Sequence, residues 1–516
     1  MRAGALVAPA RGTLAVVTVV ELGLYALLLA VAAVAIWRRP VVALSLFLVG
    51  LAAHNAVMAA LYGAGVRGST LTLITAWKEI LLAVALLRIL RDALRDRRLP
   101  FTPWLGDWLA LAFAVLVVVY AVIPQSALGG QAGAHTVALA LRHDVVPVAA
   151  YFLGRSLLLR REDLRRFAWT LLGVAGLVAA LGLADVYAVS IGWWRTNGVV
   201  DYFHLHLGYD YHGTGERPAV AGLPENFIYN VGNDKPFLRR LVSTFLSPLG
   251  SSYLFVVALL VTAAALRRSA LSVVLSVVAA AGLLWTFSRA SLIALAAGMV
   301  VLAAVRRRPL GLVAAVLTVA VAFGWAHVFP KIGPTGNWTT ADRCYQHNRK
   351  PCSAAGAPAP SAPSGAFSAT SANEPSLHSH WVSLRAGVWT VVHHPQGFGL
   401  GNAGQTASRT GGATPVRAGE SNYTELGVEL GLFGSLLWIA WGLALLAGLV
   451  RAGYDERWAA GLAAAFAAVL VLAIQTDVIG DPWVAYCVWG LAGALVLRTG
   501  PEERLAGARG RFVPLS

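Results

Sequence analysis

Apolar residues run in long blocks along almost the whole chain, with short polar or basic stretches between them. A block of about 20 apolar residues is what a helix needs to cross the hydrocarbon of a bilayer. Read this way, the pattern predicts thirteen helices. They cover 14–37, 41–62, 71–89, 104–123, 136–157, 167–191, 248–266, 270–287, 290–305, 310–328, 423–450, 459–474 and 483–497. The expected fold is therefore all-α, a polytopic bundle of 12–14 transmembrane spans.

Composition agrees. The chain of 516 residues is 57% hydrophobic and 13% charged, against about 25% charged in soluble domains. A soluble core cannot bury that much apolar surface, and a bilayer can accept it. The net charge of +16 would point to nucleic acid in a soluble protein. Here most Lys and Arg sit in short clusters between apolar blocks, the pattern by which membrane proteins keep positive loops inside.

Those clusters fix an expected orientation. Arg38 and Arg39 follow the first block, Arg91, Arg95, Arg97 and Arg98 the third, and Arg160, Arg161, Arg165 and Arg166 the fifth. Arg267 and Arg268 follow the seventh, Arg306 to Arg308 the ninth, and Arg451 and Arg457 the eleventh. Arg498, Arg504, Arg509 and Arg511 follow the last. With thirteen spans all of these ends fall on one side, which puts the C-terminus inside and the short N-terminus outside. Residues 1–13 are weakly basic and the block after them is too long for a signal-peptide core, so no cleavable signal is expected.

The organisation that follows is a transmembrane bundle over 1–328 with an outer loop at about 192–247, a large extracytoplasmic loop over 329–422, C-terminal helices over 423–498 and a cytoplasmic tail over 499–516. Residues 353–371 are rich in Pro, Ala, Ser and Gly and read as a flexible insert. Residues 381–389 have helical character, and a glycine-rich turn, Gly397-Phe398-Gly399-Leu400-Gly401-Asn402, comes after them. Of three cysteines, Cys487 lies in an apolar block and reads as a packed thiol. Cys344 and Cys352 flank a short polar stretch of the outer loop, where a disulfide is plausible in an oxidising compartment.

Charges near a bilayer are costly and therefore informative. Arg289 sits in Ser288-Arg289-Ala290-Ser291-Leu292, the tight turn between the eighth and ninth blocks, on the expected outer side and against the positive-inside trend. The bland alternative is a snorkelling or capping arginine. Arg239 and Arg240 precede the seventh block, Arg385 lies in the large loop four residues before Trp389, and Arg417 stands three residues before Glu420. Several arginines on an outer face suit a diphosphate, since the guanidinium fork gives paired, charge-assisted bonds to phosphate oxygens. Glu420 opens the segment Glu420-Ser421-Asn422-Tyr423 at the edge of the eleventh block. It reads either as a carboxylate favoured by a helix N-terminus or, in a partly desolvated cleft, as a general base. Lys78 with Glu79 and Arg142-His143-Asp144 interrupt the third and fifth blocks, and Asp477 and Asp481 lie in the last outer turn. His378 with His380 and His393 with His394 form no metal-binding spacing.

Three motifs together resemble the O-antigen ligase and O-antigen polymerase superfamily of membrane glycosyltransferases. The first is the Arg240 segment through Phe245 and Pro248, and the second is Ser288-Arg289-Ala290-Ser291-Leu292. The third joins Arg385 and Trp389, His394-Pro395-Gln396-Gly397-Phe398-Gly399-Leu400-Gly401, Glu420 to Tyr423, and Glu429-Leu430-Gly431-Leu432-Phe433-Gly434. The similarity runs from about Arg239 to the end. It implies a GT-C-like bundle on the inner membrane with its site facing outward. It implies inverting, metal-independent transfer of a glycan from a polyprenyl-diphosphate donor to a glycan or glycolipid hydroxyl, with no cofactor. Arg240 and Arg289, with Arg385, would hold the diphosphate. Arg289 and Glu420 would be catalytic, and Arg239, Arg417, His394 and Tyr423 are candidates for support. A flippase and a chain-length regulator are candidate partners. Ligases of the family typically carry a histidine where this chain has Glu420, which favours a polymerase or another surface-glycan ligase. A transporter or flippase for a lipid-linked glycan is the alternative.

Overall fold

The structure, a computed structural model, describes residues 11–208, 227–229, 237–336, 375–404, 406–407, 418–497 and 513–514. The expected pair Cys344 and Cys352, the insert at 353–371 and Arg417 lie outside them. All thirteen apolar blocks are helical over most of their length. In chain order the helices of seven residues or more are α1 Arg11–Arg38, α2 Val42–Gly63, α3 Gly68–Thr75, α4 Trp77–Asp96, α5 Leu105–Val122, α6 Ala134–Arg155 and α7 Arg161–Ala188. Then come α8 Pro248–Ala265, α9 Ala270–Trp285, α10 Arg289–Arg306, α11 Leu310–Ile332, α12 Pro375–His393, α13 Asn422–Gly453, α14 Arg457–Leu472 and, after a π-helical turn at Val484–Val488, α15 Trp489–Leu495. Eight helices among the described residues are long and apolar enough to cross a membrane. The protein is a multi-pass, all-α membrane protein.

The third block departs from expectation, for it breaks in two at Ala76. The reason is polar. Lys78 turns back to donate to the Thr75 carbonyl (2.8 Å), and Trp77 donates its indole N–H to His54 on α2 (3.2 Å). Glu79 pairs with Lys78 and with Arg142 of α6, each at 3.6 Å. A charge inside an apolar bundle needs such partners.

The turns expected on one side of the membrane do meet at one end of the bundle. Arg39 pairs with Asp163 (3.2 Å) and Arg155 with Asp107 (2.9 Å). Arg161, Arg165, Arg306 and Arg457 line one depression with Glu162 and Asp455. Strand β1 (Arg98–Leu99) pairs antiparallel with Val513–Pro514 there. This is the basic end. The opposite, loop end carries a small antiparallel sheet, β2 (Ile228–Tyr229), β3 (Phe237–Arg239) and β4 (Thr335–Gly336), in that spatial order. Its register sets Ile228 opposite Arg239 and Phe237 opposite Gly336.

Two helices that run from the basic end toward the loop end are short. α9 and α14 have 16 residues each, a rise of about 24 Å against a hydrocarbon core of about 30 Å. The turns that follow them, 286–288 and 473–481, are thus recessed below the surface of the loop end. Both candidate centres of chemistry lie at these recessed turns.

Candidate functional site at the loop end

The turn between α9 and α10 is held from below by hydroxyls. Ser288 and Ser291 share a hydrogen bond of 2.8 Å, and Ser291 shares another of 2.7 Å with Ser252 on α8. All three are buried. Phe287, the residue before Ser288, is in the left-handed region (φ 50°), which costs a non-glycine residue about 1–2 kcal/mol. Its ring offsets this by stacking on Phe329 (4.6 Å between centroids) and meeting Tyr229 edge-on (5.0 Å). The turn therefore presents Arg289 as the first residue of α10, half-buried, with its guanidinium carbon 6.0 Å from the Tyr229 ring centre.

Arg240 lies along the same turn. Its Nε donates to the Thr286 carbonyl at 2.8 Å, and its backbone N–H donates to Phe227. The next residue, Leu241, donates its N–H to Trp285 (3.0 Å). Arg240 and Arg289, 49 positions apart by number, are thus brought to one turn. Arg239 goes elsewhere. Its guanidinium pairs with Asp185 (3.3 Å) and donates to the carbonyls of Val186 and Val189, closing the end of α7. Burial lowers its pKa and Asp185 pulls it back up. Arg239 is a structural arginine that supports β3, and the contacts of the turn belong to Arg240.

The second centre is where α13 begins. Ser421 caps the helix and donates its hydroxyl to the Ala473 carbonyl (3.0 Å). Asn422 donates to Asp477 (2.6 Å) and accepts from the Val478 N–H (2.8 Å). Asp477 faces Nε2 of His143 (3.2 Å), whose Nδ1 faces Asp144 (2.8 Å). With a carboxylate at each ring nitrogen, the arrangement suits an imidazolium that donates to both. So a cluster centred on α6 fixes the register of the Glu420–Asn422 segment. Glu420 itself stands at the rim, its side chain 58% exposed, with Oε2 at 2.9 Å from Nδ1 of His380. It does not sit in a desolvated cleft, and the histidine partner at position 380 has no signal in the sequence.

The remaining candidates have plain positions. Tyr423 donates its hydroxyl to the Leu470 carbonyl (2.8 Å), and His394 packs its ring on Phe398 (4.7 Å). The first ties the start of α13 to α14, and the second is a contact within the turn after α12. Arg385 is exposed on α12. α8 stands between the two centres: Ser252 reaches the serines beneath Arg289, and its neighbour Tyr253 donates to Thr476 beside Asp477 (3.0 Å).

The two glycine motifs form one device. α13 is broken at Gly431 (φ 74°, ψ 177°). The break frees backbone groups, and the turn after α12 satisfies them. Phe398 donates to Val428 (2.7 Å), Gly399 to Glu429 (3.0 Å), and Leu432 donates to Pro395 (2.8 Å). The Glu429 carboxylate in turn accepts from the Gly401 N–H (2.9 Å) and the Ala403 N–H. A side chain on Gly431 would overlap the Pro395 carbonyl, and one on Gly397 the Gly431 N–H. Gly431→Ala is expected to cost about 2–4 kcal/mol, from the left-handed backbone and overpacking. A thermal unfolding scan of the purified protein should show the drop; an unchanged midpoint would mean that the break is not needed.

Comparison of the chain with known protein-family models finds no match, and comparison with characterised proteins finds none either.

Proposed function

We propose that the protein is a membrane glycosyltransferase of the ligase and polymerase kind. In this reading it moves a glycan from a polyprenyl-diphosphate donor to an acceptor hydroxyl, with inversion and without a metal, in cell-surface polysaccharide synthesis. In this reading the loop end faces outward from the inner membrane, and the gathering of basic turns at the other end supports that orientation. The observation that carries the reading is the placement of Arg240 and Arg289 on one turn, Arg240 held on the Thr286 carbonyl and Arg289 opening the helix that follows. Two guanidinium groups at the membrane edge fit a lipid-linked diphosphate, and they would stabilise the charge that grows on it as it leaves.

In the step itself the acceptor oxygen bonds to the anomeric carbon while the bond from that carbon to the diphosphate oxygen breaks. The electron pair leaves on the diphosphate, against Arg240 and Arg289. The hydroxyl proton passes to Glu420, which is open to the acceptor and hydrogen-bonded to His380. A carboxylate within hydrogen-bond reach serves as such a base.

One observation favours the second reading, a flippase for the same lipid. Lys78, Glu79 and Arg142 form one charged network on helices of the bundle and His143 with Asp144 and Asp477 another, and charges within spanning helices often mark a transport path. Protein reconstituted with a labelled lipid-linked glycan and an acceptor separates the two. New covalent glycan product is expected. Movement of the label across the bilayer with no product would replace the transferase by the flippase.

A further inference from the structure

α12 leaves an apolar stripe uncovered. Trp381, Val388, Trp389 and Val392 are between 49% and 65% exposed, and they lie on one face with Val382 and Arg385. The spacing of three and four residues puts them on a single helix face. The opposite face is buried. Gly387 packs against Ala418 and Thr424, and Val391 packs against Gly427. In water such a stripe would be an unexplained liability.

The depth of α12 can be measured along α13. From the break at Gly431 to its end at Gly453, α13 rises about 33 Å, close to the full thickness of the hydrocarbon core. Gly431 therefore marks the bilayer boundary at the loop end. The segment before the break folds back beside the rest of the helix, because Ser435 donates to the Tyr423 carbonyl (2.9 Å). α12 packs along that returning segment, so its stripe lies below the boundary, at the level of the lipid. On α13 the exposed residues Leu432, Phe433 and Leu436 continue the apolar surface. The stripe has indoles at 381 and 389, as interfacial helices do, and no residue of α12 is acidic, Arg385 alone being a permanent charge.

We infer that α12 is a membrane-seated helix whose Trp381–Trp389–Val392 face lies in the acyl chains of the loop-end leaflet, with Arg385 rising to the phosphate layer. The occupant of the stripe is bilayer phospholipid. This inference does not depend on the transferase reading, since it makes no use of donor or acceptor.

The test uses nitroxide labels on the full chain in phospholipid nanodiscs, in a Cys344→Ser, Cys352→Ser, Cys487→Ala background. Labels go at Val388→Cys and Val392→Cys, with Leu436→Cys as the lipid-facing reference. Oxygen, which partitions into lipid, should broaden or relax all three labels several-fold more than a water-soluble nickel chelate. Two results overturn the proposal. If the chelate dominates at 388 and 392 while oxygen dominates at 436, the stripe faces water. If neither reagent reaches 388 and 392, protein covers the stripe, whether another part of this chain or a second copy. Both substitutions are at exposed positions, and Val382→Cys supplies a third reading on the same face should either variant fold poorly.

Discussion

Replacing Arg289 with alanine is expected to lower glycan transfer by about 10²–10³-fold while the amount of protein in the membrane stays unchanged. The magnitude is that of removing one donor aimed at developing charge, and a thousandfold loss corresponds to about 4 kcal/mol of the barrier. Protein abundance should hold because the turn is built by other groups. Ser288 and Ser291 are tied to each other and to Ser252, Phe287 is stacked on Phe329, and Arg240 is anchored on Thr286. The rate of product formation from a radiolabelled lipid-linked donor measures the effect. Activity near that of the unchanged protein would remove Arg289 from the clamp. Arg289→Lys should recover only part of the rate, because an ammonium keeps the charge and loses the paired geometry.

Glu420→Gln is expected to reduce transfer by about 10²–10⁴-fold, the usual contribution of a positioned general base. The Glu420 side chain is exposed and its partner His380 is half-buried, so stability should change little; exposed pairs contribute at most about 1 kcal/mol. The donor should still bind, since the arginines that meet it are at the other recessed turn. The informative measurement is therefore the rate at saturating donor, alongside a binding measurement with the unreacted lipid diphosphate. Loss of binding together with rate would place Glu420 in donor recognition, and an unchanged rate would rule it out as the base.

Much of this molecule is legible in its amino-acid sequence. The apolar blocks are legible because burying a helix in about 30 Å of hydrocarbon takes a long apolar run; all thirteen are helical over most of their length, and eight helices among the described residues are long and apolar enough to cross a membrane. Lys and Arg gather at one end of the bundle because charged loops are costly to move across a bilayer. The helical segment at 381–389 is the middle of α12, and Cys487 is buried as a packed thiol. Arg289 stands out as a cation against the trend of its neighbours, and it does open a helix at the loop end. The position of Glu420 before α13 is equally plain, though its exposure is not.

What the sequence by itself does not determine are pairings between distant elements. Arg239 and Arg240 are adjacent and chemically identical. Only the fold sends one to Asp185, 54 residues back, and the other to Thr286. His143 and Asp477 are 334 residues apart, and each alone looks like an ordinary polar break in an apolar block. The glycine turn after α12 and the segment around Gly431 follow each other in the sequence pattern, but only the fold shows that one fills the hydrogen bonds that the break in α13 opens. The physical reason is the same in each case. Local pattern encodes which segments must leave water, because that depends on composition over some 20 residues. Which polar group satisfies which is settled only when the helices pack, because a buried polar group takes whatever partner the packing brings within hydrogen-bond distance.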